Sequence, residues 1–237
     1  LPIFTRVKKP YKPARGCPFP GSRKARICAI ETKVFVIAFM SIQSLTRLRI
    51  VPIFASREQA EGLYACWYEH RDQDELSHLF ELWNDPNFVR KQCRKNQQRI
   101  GVPPLSMDVN EAVAHIWEEI EFFNDLLLPH QNTNRYQPAY THFLNDFFEP
   151  LDTKHVNNRY KAKATISGLN LLRLYALDIR DGLFLVTGGG MKFTRTMQQD
   201  PYNFLQQELD KLDKVADLLQ KRQVDETHFT GEAFSIP

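Results

Sequence analysis

Hydrophobic positions along this chain change period twice, and the changes divide it into a strand, a helical stretch, and a meander that ends in a helix. Leu48 to Ala55 (LRIVPIFA) is short, apolar and β-branched, which predicts a strand; Pro52 favours a sheet edge or a strand end. Ser56 with Gln59 reads as a capping box, and Ala60, Leu63, Tyr64 and Trp67 follow at helical spacing. Leu76, Leu79, Phe80 and Trp83 predict a second helix. Asp85-Pro86 caps and opens a third, which bears Phe88 and Val89. After a loop over 99–107, Asp108 and Glu111 start a long helix striped by Val113, Ile116, Ile120, Phe123 and Leu127. Pro129 ends it, His130 to Pro138 reads as a loop, and Tyr140 to Phe148 fits helix or strand.

Beyond this point the period falls to two. Tyr160 to Ile166 alternates with Lys161 and Lys163 on one face. Gly168 and Asn170 mark a turn, Leu171 to Ile179 a central strand, and Arg180-Asp181-Gly182 a tight hairpin connection. Leu183 to Thr187 follows, then three glycines read as a second hairpin turn, then a strand from Met191 to Thr196. Asp200-Pro201 begins a final helix with Leu205, Leu209, Leu212, Val215 and Leu219 inward. The first strand needs the later sheet as a partner, so 40–237 is expected to form one α+β domain. Its helical part covers 56–150, and its sheet and last helix cover 155–222.

Charge changes the picture at the N-terminus. The first 50 residues hold eleven Lys or Arg against one acid, Glu31; the remaining twenty bases and twenty-seven acids leave 51–237 net negative by seven. Prolines 10, 13, 18 and 20 interleave with the early cations and block regular pairing. Residues 1–39 thus read as a disordered basic arm, a targeting peptide, or sequence upstream of a start at Met40. Val34 to Met40 is too short an apolar run for the roughly 20 residues that span a bilayer. Cys17, Cys28, Cys66 and Cys93 form no CxxC pair, which points away from a zinc site or disulfide framework and toward a reducing cytoplasm.

The meander carries the candidate chemistry. Arg173 and Tyr175 share one face of the central strand, with Leu172, Leu174 and Ala176 on the other. A cation there is paired or aimed at a ligand, because burying it alone is expensive. Lys192 and Thr194 share a face of their strand, and Arg195 points away from them. Cleavage of RNA through its 2′-hydroxyl needs a proton acceptor, cations for the phosphorane and a proton donor for the leaving oxygen. Arg173, Lys192 and Arg195 answer the second need, Tyr175 can join the proton transfers, and Arg159, Lys161 and Lys163 suit RNA binding. The competing reading pairs Arg173 with Asp178 or Glu208 and leaves the lysines as a solvated face. His115 and Glu119 read as a surface i,i+4 contact, and Trp67, Trp83 and Trp117 as core packing. Glu69, His70, His78 and Glu81 fit no standard metal spacing.

Arg159-Tyr160-Lys161, Leu172-Arg173-Leu174-Tyr175, Leu183 to Thr187 and Lys192-Phe193-Thr194 carry a resemblance across residues 155–220. The segment resembles the RelE/HigB-like toxins of bacterial type II toxin–antitoxin systems. That resemblance implies a RelE/HigB-like α+β fold and a metal-independent mRNA endoribonuclease that inhibits translation, acting on the ribosome, with no cofactor. It also implies a small helix-turn-helix antitoxin as partner, no membrane, and a cytoplasmic location. Arg173 matches the family's strand arginine, and Lys192 with Arg195 match the basic pair before the last helix. The acidic body, the single lysine of the Lys-Phe-Thr segment and the lack of a C-terminal histidine or tyrosine depart from the pattern. Two alternatives stay open: a non-enzymatic protein-binding factor of a mobile element with a degenerate toxin-like fold, and a gyrase-directed toxin.

Overall fold

The computed structural model describes residues 47–55, 62–127, 141–151, 158–164, 169–194 and 204–237. The expectations for 1–39, for the Ser56–Gln59 box, for His130 to Pro138 and for the Asp200-Pro201 start lie outside them. The first strand, β1 (Leu48–Ala55), pairs antiparallel with β2 (Gly62–Tyr68), from Leu48 opposite Tyr68 to Ala55 opposite Gly62. β2 corrects the helix read from Leu63, Tyr64 and Trp67. Leu63 and Ala65 enter one core while Tyr64, Cys66 and Tyr68 enter a second on the opposite face. A strand covered on both sides shows no polar–apolar alternation, so its spacing imitates a helix.

The helices that follow start where their caps dictate. The Asp74 carboxylate accepts from Ser77 N at 3.0 Å and opens α1 (Glu75–Asn84). Asp85 accepts from Asn87 N at 2.9 Å and, with Pro86 in the first turn, opens α2 (Pro86–Lys95); one further turn forms α3 (Gln97–Ile100). Asp108 and Glu111 satisfy each other's amides ahead of α4 (Val109–Leu127). All five stripe residues of α4 are buried, worth about 1.5–3 kcal/mol each as an upper estimate. The ambiguous stretch is both things in turn: α5 (Thr141–Phe147) passes directly into β3 (Phe148–Pro150).

β4 (Arg159–Ala162), β5 (Leu172–Arg180) and β6 (Leu183–Met191) form the meander. The β5–β6 turn is Asp181-Gly182, where Gly182 adopts φ 82° and its N–H donates to Asn145 Oδ1 at 3.1 Å. After α6 (Phe204–Lys221) the chain makes a short 3-10 turn, Glu226–His228, and returns as β7 (Phe234–Ile236) against β1, a strand the sequence pattern does not suggest. The fold is mixed α+β on a seven-stranded sheet of order β3-β4-β5-β6-β2-β1-β7. β2 and β6 run parallel; the other pairs are antiparallel. Helices α1, α2 and α4 pack on one face and α6 on the other. Among the described residues no helix is long and apolar enough to cross a membrane.

The three glycines are a second correction. They do not turn the chain; β6 runs through them, with Gly188, Gly189 and Gly190 opposite Tyr175, Leu174 and Arg173. Close packing on both faces explains them. A Cβ on Gly188 would lie 2.0 Å from Glu208 Oε2, one on Gly190 2.7 Å from Phe204, and one on Gly189 2.9 Å from Leu79 on the opposite face. Glycine here lets α6 and α1 approach the sheet from either side. Because β6 ends at Met191, Lys192 and Thr194 follow the strand as irregular chain rather than sharing a strand face.

Candidate anion-binding site

Register assembles the site. Lys161 lies opposite Tyr175 and Arg159 opposite Leu177, while Glu149 of β3 lies opposite Lys161. Directly opposed residues share a face, so Glu149, Arg159, Lys161, Arg173 and Tyr175 all lie on the α6 side of the sheet. Lys163 follows β4 and forms an ion pair with Glu149 at 2.6 Å. Lys192 is anchored by its N–H, which donates to Leu171 O at 2.6 Å.

Four of these cations interact. Burial first, then Arg173, Lys161 and Lys163, hold the Lys192 ammonium below its ordinary range. Burial likewise lowers Arg173, opposed by Tyr175, Glu119 and Glu149. Arg173 Nη1 donates to the carbonyl of Leu172 at 2.7 Å, and among the described residues no carboxylate forms an ion pair with it. The expected competitors are engaged elsewhere: Glu208 holds Lys211, and Asp178 interacts with Tyr160. Like-charged side chains gathered at a half-buried site, with one carboxylate at the rim, make a place where an anion is favoured.

The remaining residues singled out from sequence fall into different places. Tyr175 is buried beneath the cations, and burial raises its hydroxyl well above the usual tyrosine range, so it stays protonated; among the described residues that hydroxyl has no hydrogen-bond partner. Arg159 turns to α6 and pairs with Asp213 at 2.9 Å, apart from the other four. Arg195 lies outside the described residues. Trp83 is in the core, Trp67 is half-buried under Arg49, and Trp117 is 44% exposed, which corrects its assignment to the core. Among the described residues no group of His, Cys, Asp or Glu could hold a metal ion.

Two buried carboxylate sites are not anticipated by the sequence pattern. Glu119 is fully buried rather than on the surface. Its oxygens accept from Leu171 N at 2.7 Å and Leu172 N at 2.6 Å, and His115 Nε2 lies 3.0 Å away, so Glu119 fixes the start of β5 just before Arg173. Burial raises its carboxyl while the two amides, His115 and Arg173 pull it back. On the α6 side, Lys211 Nζ sits 2.7 Å from Glu75 Oε1 and 2.6 Å from Glu208 Oε2, beneath the Tyr68 ring, and Gly189 N donates to Glu208 at 3.2 Å. This cluster occupies the end of the parallel pair, where the paired register stops at Ala65 and Val186 and Tyr68 Oη donates to Thr187 O at 2.7 Å. Both carry a readable signal. Glu119 continues the Ile116–Phe123 stripe, and Glu208 the Leu205–Leu212–Val215–Leu219 stripe, at the same spacing of three and four as their apolar neighbours.

No family model, curated protein or solved structure matches this chain.

Proposed function

We propose that the chain is a RelE/HigB-like toxin, an mRNA endoribonuclease that inhibits translation without a metal ion. The observation that carries this reading is the gathering of Lys161, Lys163, Arg173 and Lys192 around one half-buried position beside Glu149. In the reaction the ribose 2′-oxygen attacks the adjacent phosphorus and gives its proton to Glu149. Arg173 and Lys161 stabilise the charge on the phosphorane oxygens. Lys192, whose ammonium is held below its ordinary range, donates a proton to the departing 5′-oxygen as the P–O bond breaks. The products are a 2′,3′-cyclic phosphate and a 5′-hydroxyl. Tyr175, buried and protonated, forms the floor under Arg173 and is not the proton acceptor. On this reading the partners are mRNA on the ribosome and a small helix-turn-helix antitoxin that masks the cations.

Purified protein incubated with labelled RNA in the presence of chelator tests this. Wild type is expected to release cyclic-phosphate ends. Arg173→Ala is expected to lose about 10²–10³ in single-turnover rate, by analogy with removing one oxyanion donor. Glu149→Gln is expected to lose about 10²–10⁴, the range for general acid–base groups. Intact RNA with folded wild type on and off ribosomes would move the assignment to the non-enzymatic binding protein.

A further inference from the structure

The helix α2 presents a second charged surface, remote in sequence from the meander. Asn87, Arg90, Lys91, Arg94 and Lys95 line an open groove of about 380 Å³. All five side chains belong to exposed residues, whereas Val89 and Cys93 fix the opposite side of the helix in the core. From Pro86 to Met107 the chain holds five Arg or Lys, the fifth being Arg99, and no acid. That run stands out in a body, 51–237, that is net negative by seven. Lys91, Arg94 and Lys95 have no ion-pair or hydrogen-bond partner among the described residues, and Arg90 reaches only Asn110 Oδ1 at 3.3 Å. The charge is therefore not consumed within the fold.

We infer that this groove binds the phosphate backbone of RNA. Two features select that occupant over an acidic protein. The lining residues are one asparagine and four cations, with no aliphatic or aromatic residue of the kind that anchors protein interfaces. Arg90 and Arg94, like Lys91 and Lys95, repeat at i,i+4, a rise of about 6 Å along the helix, close to two steps of about 3.4 Å along a nucleic-acid strand. The exposed cations thus form two short rows that a sugar–phosphate chain can follow without any base being read. The choice of RNA rests on the proposed function, but the groove shares no residue with the four cations on the sheet.

The test is binding of a 2′-O-methyl oligoribonucleotide, which cannot be cleaved, measured across a salt series. Three proteins are compared: wild type, Arg173→Ala, and the exposed quadruple variant R90Q/K91Q/R94Q/K95Q, with circular dichroism confirming that each is folded. Glutamine keeps good helix propensity, so α2 is retained. The quadruple variant should bind at least tenfold more weakly. Its salt slope should shrink by about 0.7 for each phosphate it no longer neutralises, up to about three in total. Arg173→Ala removes one phosphate contact at the sheet site, so its salt slope should fall by no more than about 0.7. A quadruple variant with unchanged affinity and slope overturns the inference, as does an acidic peptide of equal charge that competes as well as the RNA. Absence of cleavage by wild type in a parallel assay with ordinary RNA would remove the nuclease reading alone, because the binding measurement does not depend on turnover.

Discussion

Replacing Lys211 by methionine removes one charge from the α6 face while keeping nearly all of its volume. In the native protein the ammonium lies within 2.7 Å of carboxylates from two different helices, and Glu75 is only 2% exposed. Without it, two carboxyl groups face each other in the interior, and one Glu75 oxygen already has no hydrogen-bond partner among the described residues. Breaking a buried ion pair by deleting one partner costs about 3–5 kcal/mol, which is a large share of a typical stability of about 5–15 kcal/mol. For a domain of this size about 2–4 °C of Tm accompanies each kcal/mol, so Lys211→Met should melt on the order of 6–20 °C below wild type. The deficit should depend on pH in a defined direction. Burial first, and then Glu75, already holds the Glu208 carboxyl above its ordinary value of 4.5, while Lys211 opposes the shift. Removing Lys211 raises that carboxyl further. A carboxyl raised by folding contributes its stability below the unfolded value and loses it as pH rises through the folded value. The gap between variant and wild type should therefore be widest at neutral to mildly alkaline pH and narrow on acidification toward 4.5. Adding Glu208→Gln should restore part of the loss, which a double-mutant cycle in urea would measure as coupling between the two sites. A variant within about 1 kcal/mol of wild type at neutral pH, with no pH dependence of the difference, would refute the buried cluster.

Three further substitutions, one of them a control, probe the frame of the site. Gly188→Ala places a Cβ 2.0 Å from Glu208 Oε2 and should destabilise by about 1–3 kcal/mol. Gly101→Ala, whose Cβ meets Gln97 O at an ordinary 3.4 Å, should not, and equal effects in chemical denaturation would contradict the close-packing account of β6. Glu119→Ala strands the buried amides of Leu171 and Leu172 and should cost about 2–6 kcal/mol at about 1–3 kcal/mol per group. The same variant should show faster hydrogen exchange at those two amides, and unchanged protection there would remove Glu119 as the anchor of β5.

How legible each element is in the sequence depends on how many of its faces meet solvent. Helix α4 has one buried stripe and readable caps, so its residues and its start are plain. β5 alternates Leu172, Leu174 and Ala176 with Arg173 and Tyr175, so its two faces are separable. β2 is buried on both faces and loses its period, and β7 is a three-residue edge strand whose pairing with β1 spans almost the whole domain. The glycine run reads as a turn because the reason for it, helices pressing on β6 from both sides, is a tertiary fact. Among the site residues, the shared face of Arg173 and Tyr175 follows from alternation. The closeness of Lys161 to Tyr175 and of Lys192 to Arg173 depends on register, which a sequence fixes only once its strands are correctly paired. The buried Glu119 and the partly buried Glu208 stand in the sequence as charges inside apolar stripes, and only the packing around them separates them from ordinary polar positions.

The proposed role of the cations gathered on the β4–β5 face is RNA cleavage. The most direct measurement is single-turnover cleavage of a labelled mRNA, free and ribosome-bound, by wild type and Arg173→Ala in the presence of chelator. Wild type should give cyclic-phosphate products and the variant should lose about 10²–10³ in rate, with both proteins equally folded. Equal cleavage by the two proteins, or none by wild type, would contradict that role.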